Sequence, residues 1–359
     1  MLYHLLYPLH DNMILFNVFK YITFRTFAAM CTAMVIYFIF GKALISYMQR
    51  KQFWQSIRDD GPIEHLKKDK TPTMGGILLW IGVIVSTLLW SRLDNQYVFL
   101  VLGVAIAYAL IGFMDDYRKV ILRDSHGLRA RYKFPLQVAI GVIASVILFD
   151  GFGFDRHLSV PFFKSVYPIL GLTGFVALAT FVIVGTSNAV NLTDGLDGLV
   201  AAPSIMAFFA YAILSYTAGH MKIASYLTVP FIPGAGELTV ICGAIIGSLI
   251  GFLWFNAHPA DIFMGDVGAL PLGAVLGTIA VITKNELLLI LVGGIFVLET
   301  ISVITQVISF KLTGKRIFKM APLHHHYELK GWNESKVIVR FWIIALILAF
   351  LSLATLKLR

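Results

Sequence analysis

From the N-terminus onward, the chain alternates between long apolar stretches and short polar ones. Crossing the hydrocarbon core as a helix takes about 20 residues. Ten stretches approach that length, at 27–48, 73–90, 97–114, 134–149, 169–190, 199–216, 238–255, 267–283, 287–310 and 337–356. The eighth and ninth, separated only by Lys284, Asn285 and Glu286, also read as one re-entrant hairpin. The first twenty residues are broken by His10, Asp11 and Asn12, too polar for a span or a cleavable signal peptide. The pattern predicts an all-α integral membrane protein of about ten transmembrane helices. Residues 1–26 are poorly specified and 27–356 form the bundle, so that 1–359 is a single polytopic domain.

Composition agrees with that pattern. Of the 359 residues, 58% are hydrophobic and only 14% charged, and the mean hydropathy is +0.80, which leaves too little polar surface for a soluble domain of this length. Cys31 and Cys242 both fall inside apolar spans. Neither reads as half of a disulfide framework or a metal site.

Charge gives the chain an orientation. The loops 49–72, 115–133 and 311–336 carry six Lys and Arg each, whereas no segment on the other face carries more than two. By the positive-inside tendency those three loops are cytoplasmic and both termini lie outside. The net charge of +9 and the pI near 9.4 fit simple topology with attraction to anionic lipid, and they would also steer a polyanionic substrate to the cytoplasmic mouth. Nothing resembles a nucleic-acid-binding module. The loops after the fifth and seventh spans belong to the same face yet carry no Lys or Arg, only carboxylates.

Asp115 and Asp116, in "GFMDDYRK", end the third span. Adjacent carboxylates repel each other, and at a helix C-terminus they also meet the negative pole of the dipole. A charged border would favour Lys or Arg there, so the pair points to a divalent cation or to proton transfer, with Lys119 placed to hold a phosphate beside it. In "NAVNLTDGLDGL", Asn188, Asn191, Asp194 and Asp197 recur every third residue, a single polar row if the helix continues. Gly195 and Gly198 allow a tight turn or close approach to a ligand. The bidentate Glu of a calcium loop is missing, and a plain helix cap would need only one Asp.

In "NAHPADIFMGDVG", Asp266 suits either an N-cap or a magnesium site built from carboxylate, water and substrate phosphate. The polar neighbours Asn256, His258 and Asp261 favour the second reading, and Phe263 could anchor at the interface or stack on a base. "KDKTPTMGG" offers Thr71 as N-cap and Pro72 in the first helical turn, and free amides there with Lys70 would make an anion site. Gly75 and Gly76 let a neighbour come close. In "PLHHHYE", three successive histidines cannot converge on one zinc ion; one or two of His324, His325 and His326 are expected to bind phosphate or move a proton. Glu299, with Ser302, Gln306 and Ser309 at helical spacing, should face protein or a groove rather than lipid.

Together "DDYRK", "NAVNLTDGLDGL" and "NAHPADIFMGD" resemble the cytosolic loops of the polyprenyl-phosphate N-acetylhexosamine-1-phosphate transferases. "KDKTPTMGG" and "PLHHHYE" are similar to the branch of phospho-N-acetylmuramoyl-pentapeptide-transferases, and the motifs fall in family order from about Arg50 to the last span. The resemblance implies a ten-helix, often homodimeric enzyme of the bacterial inner membrane, with its cleft facing the cytoplasm. Such an enzyme transfers phospho-N-acetylmuramoyl-pentapeptide from its UDP conjugate to undecaprenyl phosphate, with Mg²⁺, giving lipid I and UMP for peptidoglycan synthesis. It implies catalytic roles for Asp115, Asp116, Asp266 and His324, with Asp266 the metal ligand. Lys70, Lys119, Lys133, Asn188, Asn191, Asp194, Asp197, Asn256, Phe263, His325 and His326 would then contact substrate. The rival readings are a sister transferase using another UDP-N-acetylhexosamine and an ion-coupled transporter. Against the transporter, the carboxylates of these motifs, all but Glu299, sit at one mouth rather than at the midplane.

Overall fold

The computed structural model describes residues 1–54, 71–124, 126–161 and 168–357. Lys70 and most of the first basic loop therefore lie outside the described residues. The α-helices run α1 (Leu2–Leu6), α2 (Ile22–Arg50), α3 (Gly76–Trp90), α4 (Gln96–Val120), α5 (Ala130–Val146), α6 (Leu172–Thr193) and α7 (Ala201–Gly219). They continue as α8 (Met221–Leu227), α9 (Leu238–Asn256), α10 (Asp266–Ile282), α11 (Leu289–Val292), α12 (Gly294–Thr313), α13 (Leu323–Glu328) and α14 (Glu334–Ala354). Eight of the helical segments are long and apolar enough to cross a membrane, and α3 and α10 are shorter apolar helices at two further expected positions. The protein is an all-α integral membrane protein.

The packing explains which apolar stretches meet lipid and which do not. Every residue of α10 from Val267 to Ile282 is buried, with α4, α6 and α3 against it. On α9, Gly243, Gly247 and Gly251 form a row with no side chains, into which α2 settles. A Cβ at Gly247 would stand 1.9 Å from the Met30 carbonyl oxygen. Without a hydrophobic drive between helices in lipid, small residues that admit a neighbouring backbone are what allow such contact. Polar ends close the helices where sequence supplies them: Asn95 accepts from the amides of Tyr97 and Val98 at the start of α4, and Asn333 from that of Ser335 at the start of α14.

Three expectations change. First, α2 begins at Ile22 rather than 27, because Arg25, which hydropathy places outside the span, is buried in a bidentate pair with Glu237 at 2.6 and 2.7 Å. Second, the helix expected from Pro72 starts at Gly76. Residues 72–76 instead run along 263–264: Phe263 donates to the Pro72 carbonyl at 2.8 Å, and Gly75 and Gly76 donate to the carbonyls of Phe263 and Met264, each at 2.9 Å. Those two amides are therefore taken and do not form the expected anion site. Third, the ninth stretch is a broken helix, α11 then α12, interrupted at Gly293. Between α10 and α11 the turn residues Thr283, Lys284, Asn285 and Glu286 are buried. Lys284 is accommodated by donating to the Asp155 carbonyl and by lying 4.2 Å over the Phe154 ring.

Candidate active site

The carboxylates of the third and eighth stretches come together. Helix α4 carries Asp115 and Asp116 in its C-terminal part, and α10 begins with Asp266. The two helices touch backbone to backbone at Gly112, where a Cβ would fall 2.2 Å from the Asp266 carbonyl oxygen. Acceptor oxygens of the three aspartates lie within 4.8 Å of one another. The two members of the pair have different hydrogen-bond partners. Asp116 accepts from the amides of Asp266 at 3.2 Å and Val267 at 2.9 Å, capping the positive end of α10. Gly265 makes room for this cap: its φ is +75°, and a Cβ there would come within 2.5 Å of Asp116 Oδ2.

Asp115 turns the other way, into a charge network. Oδ1 accepts from the Leu128 amide at 2.8 Å. Lys119 bridges Asp115 and, at 3.4 Å, Asp266. Lys133, near the start of α5, contacts Asp266 and lies 3.7 Å from Asp115. From α6, Asn191 donates to Asp266 Oδ1 at 2.9 Å. Two lysines thus meet three carboxylates, a surplus of one formal negative charge in a place of oxygen donors only. The half-buried Asp194 stands beyond α6; burial, with the charges of Asp266 and Asp197, pushes its pKa up to about 7.

The second half of the wall is a folded joint between the 194–198 and 256–262 turns. Asn256 is buried; its Oδ1 accepts from the Gly198 amide at 2.9 Å while its Nδ2 donates to the Ile262 carbonyl at 2.8 Å. Asp197 accepts from His258 Nδ1 and from the Ala260 amide, both at 3.1 Å, and Glu334 of α14 stands 3.7 Å from the same His258 nitrogen. Asp197, His258 and Glu334 form a second group whose ligand atoms lie within 4.8 Å of one another. Phe263 is half-buried beside this joint, and Asp261 is exposed. Asn188 does not continue the row of Asn191. It donates to Gln137 Oε1 of α5 at 2.9 Å and to the Val184 carbonyl at 2.8 Å, deeper between α5 and α6.

The three histidines separate, each with its own partner. His324 is 1% exposed, and its Nδ1 faces Glu299 Oε1 at 3.2 Å. Its ring lies against Gly195. His325 Nδ1 meets Glu328 at 2.7 Å. His326 Nδ1 accepts from the Lys319 amide at 3.0 Å, and partial burial beside Lys330 and Lys319 holds its pKa below the ordinary histidine value. The polar row on α12 finds its counterpart in the chain's own returning loop: Glu299 receives the amides of Leu323 and His324, Gln306 those of Ile317 and Phe318, and Ser309 donates to the Lys315 carbonyl. Gln137 and Glu334 went unsingled in the sequence. An amide one helical turn from Lys133, and an acid opening α14 after its Asn333 cap, were the signals that could have found them.

Residues 98–284, which contain Asp115, Asp116, Asp197, His258 and Asp266 but not Glu334, match the family model described as Glycosyl transferase family 4. Over its full length the chain is 56% identical to the phospho-N-acetylmuramoyl-pentapeptide-transferase of Syntrophus aciditrophicus (strain SB), with all of both chains covered. The proteins of the same name from Desulfatibacillum aliphaticivorans and Geobacter sp. (strain M21) are 56% and 52% identical, again with all of both chains covered.

Proposed function

The chain belongs to the phospho-N-acetylmuramoyl-pentapeptide-transferases, and from that membership we propose how its own residues carry the transfer. The donor is UDP-N-acetylmuramoyl-pentapeptide and the acceptor undecaprenyl phosphate; the products are lipid I and UMP. The observation that carries the proposal is the Asp115–Lys119–Lys133–Asp266 network, in which cations and carboxylates alternate at one end of a helical bundle. We place that end at the cytoplasmic face, where a nucleotide arrives from water and a lipid phosphate from the bilayer. The support is the positive charge of loops 115–133 and 311–336, which flank it. A homodimer is part of the proposal through the family likeness alone.

Three carboxylates with oxygen atoms this close, and no sulfur among them, fit a hard cation such as Mg²⁺, which takes one or two carboxylates and completes its shell with water and phosphate. Asp266 and Asp115 would hold it. Asp116 is committed to the α10 amides. When bound, the metal supplies neutralisation of charge on the diphosphate. Lys119 and Lys133 then serve the phosphates of the two substrates, drawing together anions that repel in water. A phosphate monoester has a second pKa of about 6, so the lipid phosphate comes largely deprotonated and the site needs no strong base. Asn191 fixes the Asp266 carboxylate through Oδ1. The 194–198 and 256–263 turns, jointed by Asn256 and Asp197, form the wall against which the uridine and sugar are held, with Phe263 for stacking.

This arrangement favours direct attack of the lipid phosphate on the sugar-linked phosphorus. The P–O bond to UMP breaks as the new P–O bond to the lipid phosphate forms. Incubating the enzyme with the UDP-substrate alone tests it: no stoichiometric UMP should appear and no phosphorylated protein should remain. The reaction itself is tested by UMP release from purified protein given both substrates, with and without Mg²⁺. Release from UDP-N-acetylglucosamine instead would move the protein to the sister activity.

A further inference from the structure

Glu299 lies on α12 and is completely buried. A carboxyl group within a membrane-spanning helix costs free energy unless donors meet it. Three do: Oε2 accepts from the Leu323 amide at 2.6 Å, and Oε1 takes the His324 amide at 3.3 Å and faces His324 Nδ1 at 3.2 Å. Both oxygens are thus engaged as acceptors, so the ring supplies the proton between Glu299 and Nδ1. A neutral imidazole has one N–H, and the partner of one nitrogen decides the state of the other. His324 Nε2 is then bare. It is buried, has no hydrogen-bond partner among the described residues, and points at Gly195, where a Cβ would come within 2.3 Å of it. Gly195 belongs to the turn between Asp194 and Asp197. The other charged groups nearby are taken: His325, whose ring is 4.2 Å from that of His324, holds Glu328, and Asp197 and Glu334 both face His258.

We propose that Glu299 is a positioning residue that reserves Nδ1 of His324 and so presents Nε2, without a proton, as a hydrogen-bond acceptor for the substrate at the 194–195 turn. This rests on the reading that His324 works at the transfer site. The device separates a protonated nitrogen anchored to the protein from an acceptor nitrogen turned to the 194–195 turn. The same logic makes a buried carboxylate essential behind a catalytic histidine, where an amide in its place puts the proton on the wrong nitrogen.

The test uses full-length protein in detergent, labelled with ¹⁵N-histidine; the signal missing in His324→Ala belongs to His324. In the native protein that signal should show a protonated Nδ1 and an unprotonated Nε2. In Glu299→Gln the carboxamide can donate to Nδ1, so the proton should move to Nε2. The kcat for UMP release should then fall about ten-fold or more, with KM for the UDP-substrate changing less than about two-fold. A native His324 protonated at Nε2 would overturn the proposal, as would Glu299→Gln keeping full kcat while His324→Ala is inactive. Should Glu299→Gln not fold, Gly195→Ala approaches from the other side. Its methyl would press on Nε2 and should lower kcat, and a Gly195→Ala enzyme as active as the native one would count against the contact. Full activity in His324→Ala would fail the underlying reading of His324 instead, an outcome distinct from the others.

Discussion

Two charged groups stand at opposite ends of the bundle, one buried and one partly exposed, and they are built differently. At one end Arg25 and Glu237 form a bidentate pair, one positive against one negative. It is sealed by the Arg92 amide at 3.1 Å from Glu237 and the Trp90 carbonyl at 3.2 Å from Arg25. At the other end Lys119 and Lys133 are shared among Asp115 and Asp266, with Asp116 spent on a helix cap. The first group balances its charge within the chain, with only Arg25 Nε left buried without a partner among the described residues. The second sets two lysines among three carboxylates. On the function proposed above, the first pair serves the fold and the second group serves binding, and the two should therefore fail in different measurements.

The largest effect is expected from the closed pair. Arg25→Ala leaves Glu237 buried without its partner and should cost about 3–5 kcal/mol of stability, read as a lowered melting temperature in detergent, with kcat unchanged in the protein that still folds. The double variant Arg25→Met/Glu237→Leu sharpens the point, since apolar groups of similar size should recover most of that loss. Next comes the open group: Asp266→Ala should lower UMP release about a hundred- to a thousand-fold while the melting temperature stays near the native one, and chelation of divalent cations should reproduce the loss reversibly. Equal damage to folding in both cases would erase the contrast.

Smaller is Gln306→Ala, which frees the amides of Ile317 and Phe318. It should cost about 1–2 kcal/mol and show as faster amide exchange confined to the 315–322 loop. The smallest effect concerns pH. Asp194, with its pKa raised to about 7 from 3.8, holds a proton in the folded protein that the unfolded chain has already released. Stability from this group therefore falls as pH rises between those values and levels off above them. Asp194→Asn should gain on the native protein through that window, and parallel melting curves across it would show that the group does not titrate there.

The carboxylate network was legible because its physics is local. Two adjacent acids at the negative end of a helix need an explanation, and so do acids in loops whose face is otherwise basic. Their division of labour was not legible. Neighbours on a helix point about 100° apart, so Asp115 and Asp116 had to serve different partners, but only the position of α10 shows which. Asn188 and Asn191 share a helical row in sequence, yet α5 approaches one and α10 the other. Thr71 and Pro72 carry good helix-start chemistry that loses to pairing with residues nearly two hundred positions away. Arg25 was assigned to the outside because hydropathy counts a charge without seeing the distant acid that neutralises it.

The burial of α10 has a further consequence. A membrane stretches, thins and changes its lipids, and helices in contact with it tilt to follow. The helix that begins with Asp266 touches no lipid from Val267 to Ile282, and at about 25 Å it is shorter than the hydrocarbon layer is thick. Deformation of the bilayer reaches it only through the ring of helices outside it. The carboxylate network proposed as the reacting centre is thus referenced to an inner post rather than to the membrane.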